Sequence, residues 1–195
     1  MIAFLKGKLV QKEPAFVIVE VNGIGYQVNI SLNTYSEIKD REDIQILTYL
    51  QVREDAHILY GFSNEAEKAM FQNLLSVNGV GASTAMLVLS SLPPADLRAA
   101  IVREDAVTLQ AVKGIGGKTA QRIILELKDK LRKEPHEESA GNQLKGHNTM
   151  RQEALTALLT LGINRASAEK SIDIVLKKSG AVSLEELVKQ ALKNT

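Results

Sequence analysis

Over the first sixty residues apolar and polar positions alternate with a period of two. Tyr26, Val28 and Ile30 alternate with Gln27 and Asn29, and the Asn22-Gly23 pair before them favours a tight two-residue hairpin turn. A second alternating run puts Ile44, Ile46, Leu50 and Val52 on one face and returns through Ile58, Tyr60 and Phe62, which predicts a hairpin with Arg53-Glu54-Asp55-Ala56 at its tip. Residues 1–62 therefore read as about five short strands, enough to close a small barrel.

From residue 63 the spacing turns helical. Asn64 followed by Glu67 is a helix-start signal, and Ala66, Ala69, Met70, Leu74 and Leu75 supply the apolar stripe beyond it. Pro93-Pro94 interrupts the pattern, and Asp96 and Asp105 are expected to cap the helices that follow. Residues 134–148, EPHEESAGNQLKGHN, hold no β-branched residue and almost nothing to bury, so they are expected to form a flexible linker. Residues 149–195 predict three short amphipathic helices, broken at Leu161-Gly162 and Ser179-Gly180, with a capping box at Ser183 and Glu186. A bundle this small has a thin core and suits docking better than chemistry. The fold class is thus α+β multidomain: an OB-type β-barrel over 1–62, a helical domain over 63–133, a linker over 134–148 and a three-helix bundle over 149–195.

The helical domain contains an internal repeat. "LLSVNGVGASTAMLVL" (Leu74 to Leu89) aligns with "LQAVKGIGGKTAQRII" (Leu109 to Ile124) at an offset of 35 residues, so that Leu74, Val77, Gly79, Gly81, Thr84 and Ala85 recur as Leu109, Val112, Gly114, Gly116, Thr119 and Ala120. Each copy reads as a helix end, a Gly-apolar-Gly turn and a second helix. Two nucleotide motifs fail on the same residues. A phosphate loop ending in Gly117-Lys118-Thr119 would need glycine where Val112 stands, and a dinucleotide fingerprint from Gly114 and Gly116 would need one at Thr119. The remaining reading is a tandem helix-hairpin-helix. Its turns, Gly79-Val80-Gly81 and Gly114-Ile115-Gly116, would offer backbone amides beside a helix N-terminus as anion sites, with Ser83, Thr84, Lys118, Thr119 and Arg122 in the first turns beyond. Glycine used only as a helix C-cap would give one such turn as readily.

Charge sharpens this picture. The formal net charge is +1, but the basic excess is local: residues 1–64 carry 6 Lys/Arg against 8 Asp/Glu, residues 65–133 carry 10 against 7, and residues 134–195 carry 8 against 8. Leu109 to Lys133 alone holds seven cations and two anions, the footprint of a phosphate-binding face. A solvated helix face would show the same charges. With no cysteine there is no disulfide or thiolate zinc site, and His57, His136 and His147 lack metal-ligand spacing. No catalytic residue, metal or cofactor is expected. No apolar run reaches the roughly 18 residues of a membrane span, and the N-terminal apolar stretch is too short for a secretory signal, so a cytoplasmic address is expected. A nuclease or ligase fragment would need clustered carboxylates or a nucleophilic lysine in a nucleotide pocket. A protein-interaction adaptor is opposed chiefly by the local charge.

The order barrel, tandem hairpins, linker and terminal bundle resembles the RuvA family of Holliday-junction branch-migration proteins over essentially all 195 residues. The most specific marks are "GIGYQV" (Gly23 to Val28), "VREDAHILYGF" (Val52 to Phe62), "NGVG" (Asn78 to Gly81) and "GIGGKTAQRIILELKDK" (Gly114 to Lys130). The resemblance implies a four-fold homotetramer, single or as a facing pair, that holds four-way junction DNA flat irrespective of sequence. It further implies a separate hexameric RuvB-type ATPase and a RuvC-type resolvase as partners. On it, both hairpins with Lys118 and Arg122 would hold the arm backbones, Glu54 and Asp55 with Arg53 would form a pin at the crossover, and Leu158, Leu161 and Ile163 would meet the ATPase. A lysine is common in the family where Ser83 stands, which implies a weaker first hairpin. The pentapeptide Val-Arg-Glu-Asp-Ala also occurs at Val102 to Ala106 between helical runs, and a solvated turn accounts for an acidic tip without any pin.

Overall fold

The structure, a computed structural model, describes residues 1–133, 146–179 and 183–193. It divides into two compact units, Met1–Pro135 and His136–Thr195.

In the first unit five strands close a barrel. They are β1 (Phe4–Glu13), β2 (Phe16–Val21), β3 (Ile24–Ile30), β4 (Asp43–Val52) and β5 (His57–Phe62), in the order β1-β2-β3-β5-β4 around the wall. All pairs are antiparallel except β3 with β5, where Val28 faces Leu59 and Ile30 faces Gly61. The β2–β3 turn has Asn22 at φ 51° and Gly23 at φ 86°, the two positive values a type I′ turn requires. Closure forces β1 to pair on both edges while bending, with a register shift between Leu9 and Gln11. Gly7 permits the bend, because a Cβ there would lie 2.0 Å from the Glu20 carbonyl oxygen.

A short helix not foreseen from the sequence, α1 (Leu32–Ile38), fills the connection from β3 to β4. Ser31 caps it, its Oγ accepting from the Thr34 amide at 3.0 Å.

The β4–β5 hairpin is apolar on both faces. Ile44, Ile46, Leu50 and Leu59 point into the barrel core. Leu47, Tyr49, Ile58, Tyr60 and Phe62 point the other way, into the core of the helices. The expected sets Ile44/Ile46/Leu50/Val52 and Ile58/Tyr60/Phe62 thus lie on opposite faces, because Leu50 pairs with Leu59 and Tyr49 with Tyr60. Val52, beside the tip, is exposed. The boundary at 62/63 separates chain segments but not hydrophobic cores.

The helices are α2 (Glu65–Ser76), α3 (Ala82–Ser91), α4 (Pro94–Val102), α5 (Ala106–Gln110) and α6 (Gly117–Lys133). Asn64 caps α2, accepting from the Glu67 amide at 2.9 Å. The Glu67 carboxylate does not complete a capping box. It is buried and accepts from the hydroxyls of Ser31 and Thr34 instead. Burial pushes its pKa above the ordinary carboxylate value, with the two hydroxyl bonds opposing that rise. The buried residues of α2 are Glu67, Met70, Phe71, Asn73 and Leu74, and Ala66 and Ala69 lie outside them. Asp105 caps α5 as expected, through the Thr108 amide at 3.1 Å. Asp96 is not a cap: Pro93 takes that position in α4 and Asp96 falls in its first turn, where a carboxylate still complements the helix dipole.

The second unit packs α7 (Gly146–Thr160), α8 (Arg165–Ser179) and α9 (Leu184–Lys193) around Leu155, Leu158, Ile172, Val175 and Leu187. The expected linker residues 134–145 and Gly180 of the expected Ser179-Gly180 break lie outside the described residues, and 146–148 already belong to α7. Ser183 caps α9 through the Glu186 amide at 3.3 Å.

Candidate nucleic-acid interface

The two hairpins of the repeat fold alike, bond for bond. In the first, the Val77 amide donates to Leu74 O and the Val80 amide to Val77 O, each at 3.1 Å. In the second, Val112 donates to Leu109 O at 3.2 Å and Ile115 to Val112 O at 3.0 Å. The next helix then starts identically, with Ala85 N to Gly81 O and Ala120 N to Gly116 O at 2.9 Å. Gly79 has φ 86° and Gly114 φ 91°, the left-handed region where a Cβ is strained. Both glycines are exposed.

Burial sorts the expected contact residues. Val80 and Ile115, the apolar centres of the turns, are buried in the helical core. Their side chains anchor the turns and their amides already donate to Val77 O and Val112 O, so both residues shape the turns and leave the flanking glycine amides to a ligand. Gly79, Gly81, Gly114, Gly116, Ser83, Lys118 and Arg122 are exposed, and Thr84 and Thr119 half-buried.

Ser31, Asn64 and Asp105 cap α1, α2 and α5 with side chains, whereas α3, which starts at Gly81, has no side-chain cap, as α4 has none at Pro93. The first-turn amides of α3 are left for another acceptor, and no acidic cap is present to repel an anion.

The cations are unevenly shared. At the 35-residue offset Lys118 and Arg122 correspond to Ser83 and to Leu87, which is exposed, so the second copy holds both charges. Arg122 nevertheless serves the first turn: its Nη1 donates to the Asn78 carbonyl oxygen at 3.0 Å. The guanidinium ties the two hairpins side by side and keeps further N–H groups for a second acceptor. Neither Asn78 nor this bridge was expected from the sequence, and only the fold brings residues 44 apart in the chain together.

The β4–β5 tip is a tight turn closed by Arg53 N to Ala56 O at 2.8 Å. Arg53, Glu54 and Asp55 are all exposed on it. In the other Val-Arg-Glu-Asp-Ala copy Glu104 pairs with Lys128 and Asp105 is a cap, so there the two acidic side chains bond within the fold.

In the second unit the three apolar candidates separate. Leu158 is fully buried, which removes it from any surface. Its spacing from Ile163 is that of a helix end: Ile163 N donates to Leu158 O and Gly162 N to Leu159 O, each at 3.0 Å, with Gly162 at φ 88°. This is a Schellman motif, whose usual apolar contact across the turn explains both residues. Ile163 is half-buried against the bundle core, while Leu161 is 60% exposed.

Among the described residues no group of three or more His, Asp or Glu side chains is placed to hold a metal, and no single helix is long and apolar enough to cross a membrane.

Comparison with known proteins agrees with this layout. Residues 1–61 match the family description "RuvA N terminal domain", residues 71–129 "SAM-like Helix-hairpin-helix tandem" and residues 149–194 "RuvA, C-terminal domain". Proteins named "Holliday junction branch migration complex subunit RuvA" are similar along their whole length. That of Cytophaga hutchinsonii is 52% identical over 197 residues and that of Christiangramia forsetii 49% over 193, each covering 99% of both chains. The Bacteroides fragilis protein is 41% identical over 199 residues, again 99% of both. With its three segments matched in order and this identity sustained from end to end, the chain belongs to the RuvA family.

Proposed function

We propose that this chain is the non-catalytic DNA-binding subunit of a branch-migration complex, which recognises the four-way junction, holds it open and recruits a RuvB-type ATPase. The observation that carries this is the pair of matched hairpins joined by Arg122, with the uncapped N-terminus of α3 exposed at the first. Amides of Gly79, Gly81, Gly114 and Gly116 take phosphate oxygens, Ser83, Thr84 and Thr119 add hydroxyls, and Lys118 and Arg122 add charge. Phosphate contacts carry no sequence information directly, so recognition follows DNA shape. Four copies around a four-fold axis match the four arms, and a second tetramer can close the opposite face. The tip residues Arg53, Glu54 and Asp55 then sit at the crossover. Action on chromosomal DNA gives the protein a cytoplasmic address and makes a RuvC-type resolvase a natural later partner on the same junction.

A gel shift comparing a four-way junction with a linear duplex of equal length tests this. Tighter junction binding, unaltered when the arm sequences are changed, is expected. Equal affinity for the two DNAs would sink the proposal.

The ATPase surface is proposed at Leu161 and the adjoining Ile163, without Leu158. Leu161→Asp should leave thermal stability within about 0.5 kcal/mol of the parent and abolish stimulation of the ATPase. Leu158→Ala should instead cost about 2–5 kcal/mol of bundle stability. Reversal of these two phenotypes, read by calorimetry and ATP hydrolysis, would move the docking surface elsewhere.

A further inference from the structure

The acidic tip belongs to the barrel and the phosphate hairpins to the helices, and directional polar bonds join the two sets of elements. They converge on α1. From its start, Ser31 and Thr34 donate hydroxyl hydrogens to the buried Glu67 carboxylate in the first turn of α2. Thr34 Oγ1 also accepts from the Ser63 amide at 3.1 Å, at the corner where β5 turns into α2. On the same helix the Leu32 amide donates to Ser90 Oγ at 3.2 Å, and Asn33 Nδ2 donates to the Leu89 carbonyl, both near the end of α3. One two-turn helix of the barrel therefore holds both helices of the first hairpin.

The apolar contact between strands and helices has an aromatic centre. Phe71, one turn beyond Glu67, lies with its ring centroid 5.4, 5.2 and 5.0 Å from those of Tyr49, Tyr60 and Phe62 on β4 and β5. Apolar burial is non-directional, and the geometry of an aromatic pair adds only a small increment to it. The hydrogen bonds of α1 are directional and fix one register. They are also costly to remove: a carboxylate buried without donors is strongly disfavoured. The second hairpin follows the first through the Arg122 bond to Asn78, so fixing one hairpin aligns both.

We propose that α1 is a bracket that sets the position of the phosphate hairpins relative to the acidic tip, with Asn33, Thr34 and Glu67 as its positioning residues, and that it thereby sets the preference for four-way over linear DNA. The specificity part rests on the function proposed above. Linear duplex needs only the hairpins. A junction needs hairpins and tip at one separation, so loosening the bracket penalises the junction selectively.

The test uses the full chain carrying Asn33→Ala, Glu67→Ala or Glu67→Gln. The first two should lower the junction-to-duplex affinity ratio about tenfold, the size of effect expected for residues that couple two sites, with the duplex salt slope unchanged. Glu67→Gln should keep the ratio, since its amide can accept from Ser31 and donate to Thr34. The chain lacks cysteine, so Asp55→Cys with Asn78→Cys can be spin-labelled in a background of unlabelled chains. The tip-to-hairpin distance should be narrow in the parent and broadened by Glu67→Ala. An unchanged ratio, or both affinities falling in parallel while the distance stays narrow, would overturn the bracket. A parent with no junction preference would instead overturn the functional reading and the use given to the bracket, while the spin-label distances still report whether α1 holds the hairpin.

Discussion

Lys118→Gln combined with Arg122→Gln is expected to weaken binding to linear duplex and to junction alike, by about 10- to 100-fold for each phosphate partner removed, since a hydrogen bond to a charged group is worth about 1.5–3 kcal/mol. Both side chains are exposed in the first turns of α6, beside the Gly114–Gly116 amides. Each neutralised cation should lower the slope of log affinity against log salt by about 0.9. The single variants should differ. Lys118 is a lone charge, whereas Arg122 also bonds the Asn78 carbonyl, so Arg122→Gln also frees the first hairpin. Arg122→Lys should preserve the salt slope yet recover little affinity, because an ammonium cannot serve the carbonyl and a phosphate with a planar fork. An unchanged slope in the double variant, measured by fluorescence anisotropy across a salt series, would take both residues out of the interface.

The repeat was legible in the sequence because each of its features is local. Positive φ at Gly79 and Gly114, apolar plugs at Val80 and Ile115 and a helix start after each turn all lie within a few residues, so the 35-residue offset exposes them. The Asn22-Gly23 turn and the Arg53–Ala56 tip were legible for the same reason. What was not legible depends on residues distant in the chain. Helix α1 is seven residues, with Asn, Thr, Tyr and Ser among a few apolar positions, and has little intrinsic helical preference. It is held by bonds to Glu67, Leu89 and Ser90. Glu67 fits a capping box by spacing, but two buried hydroxyls from α1 draw its carboxylate away from the local amide. The β4–β5 strands show alternation, yet both of their faces are apolar because a second core lies behind them.

In the terminal bundle a backbone turn decides what spacing could not. Leu158, Leu161 and Ile163 are all apolar, and nothing in their positions along the chain tells a docking surface from a helix end. The Schellman bonds at Gly162 separate them, taking Leu158 inward and leaving Leu161 in solvent. The two charged partners Arg151 and Asp173 meet between α7 and α8 at 2.9 and 3.2 Å. They are partly exposed and therefore add little stability. The bundle rests on its apolar core, which the destabilisation expected of Leu158→Ala would measure.

Glu54→Gln with Asp55→Asn should act against the trend of every other change at the interface. Two exposed carboxylates on one turn can only oppose phosphate, as like charges about 4 Å apart repel by roughly 1 kcal/mol in water and more where water is excluded. If the tip lies at the crossover, their use is to reject continuous duplex and to hold apart the strands passing between arms, so that specificity comes from penalising the wrong DNA. The double variant is therefore expected to bind linear duplex more tightly, by about 1–2 kcal/mol for the two charges, and to narrow the junction preference accordingly. Branch migration by the assembled complex should change in rate while ATP hydrolysis by the motor does not, because the tip takes no part in that chemistry. Arg53 on the same turn carries the opposite sign, and Arg53→Gln should weaken junction binding instead. The turn itself should survive all three changes, since the bond that closes it runs between backbone atoms of Arg53 and Ala56. If the double variant binds duplex and junction as the parent does, the tip is a solvated turn and has no part in junction recognition.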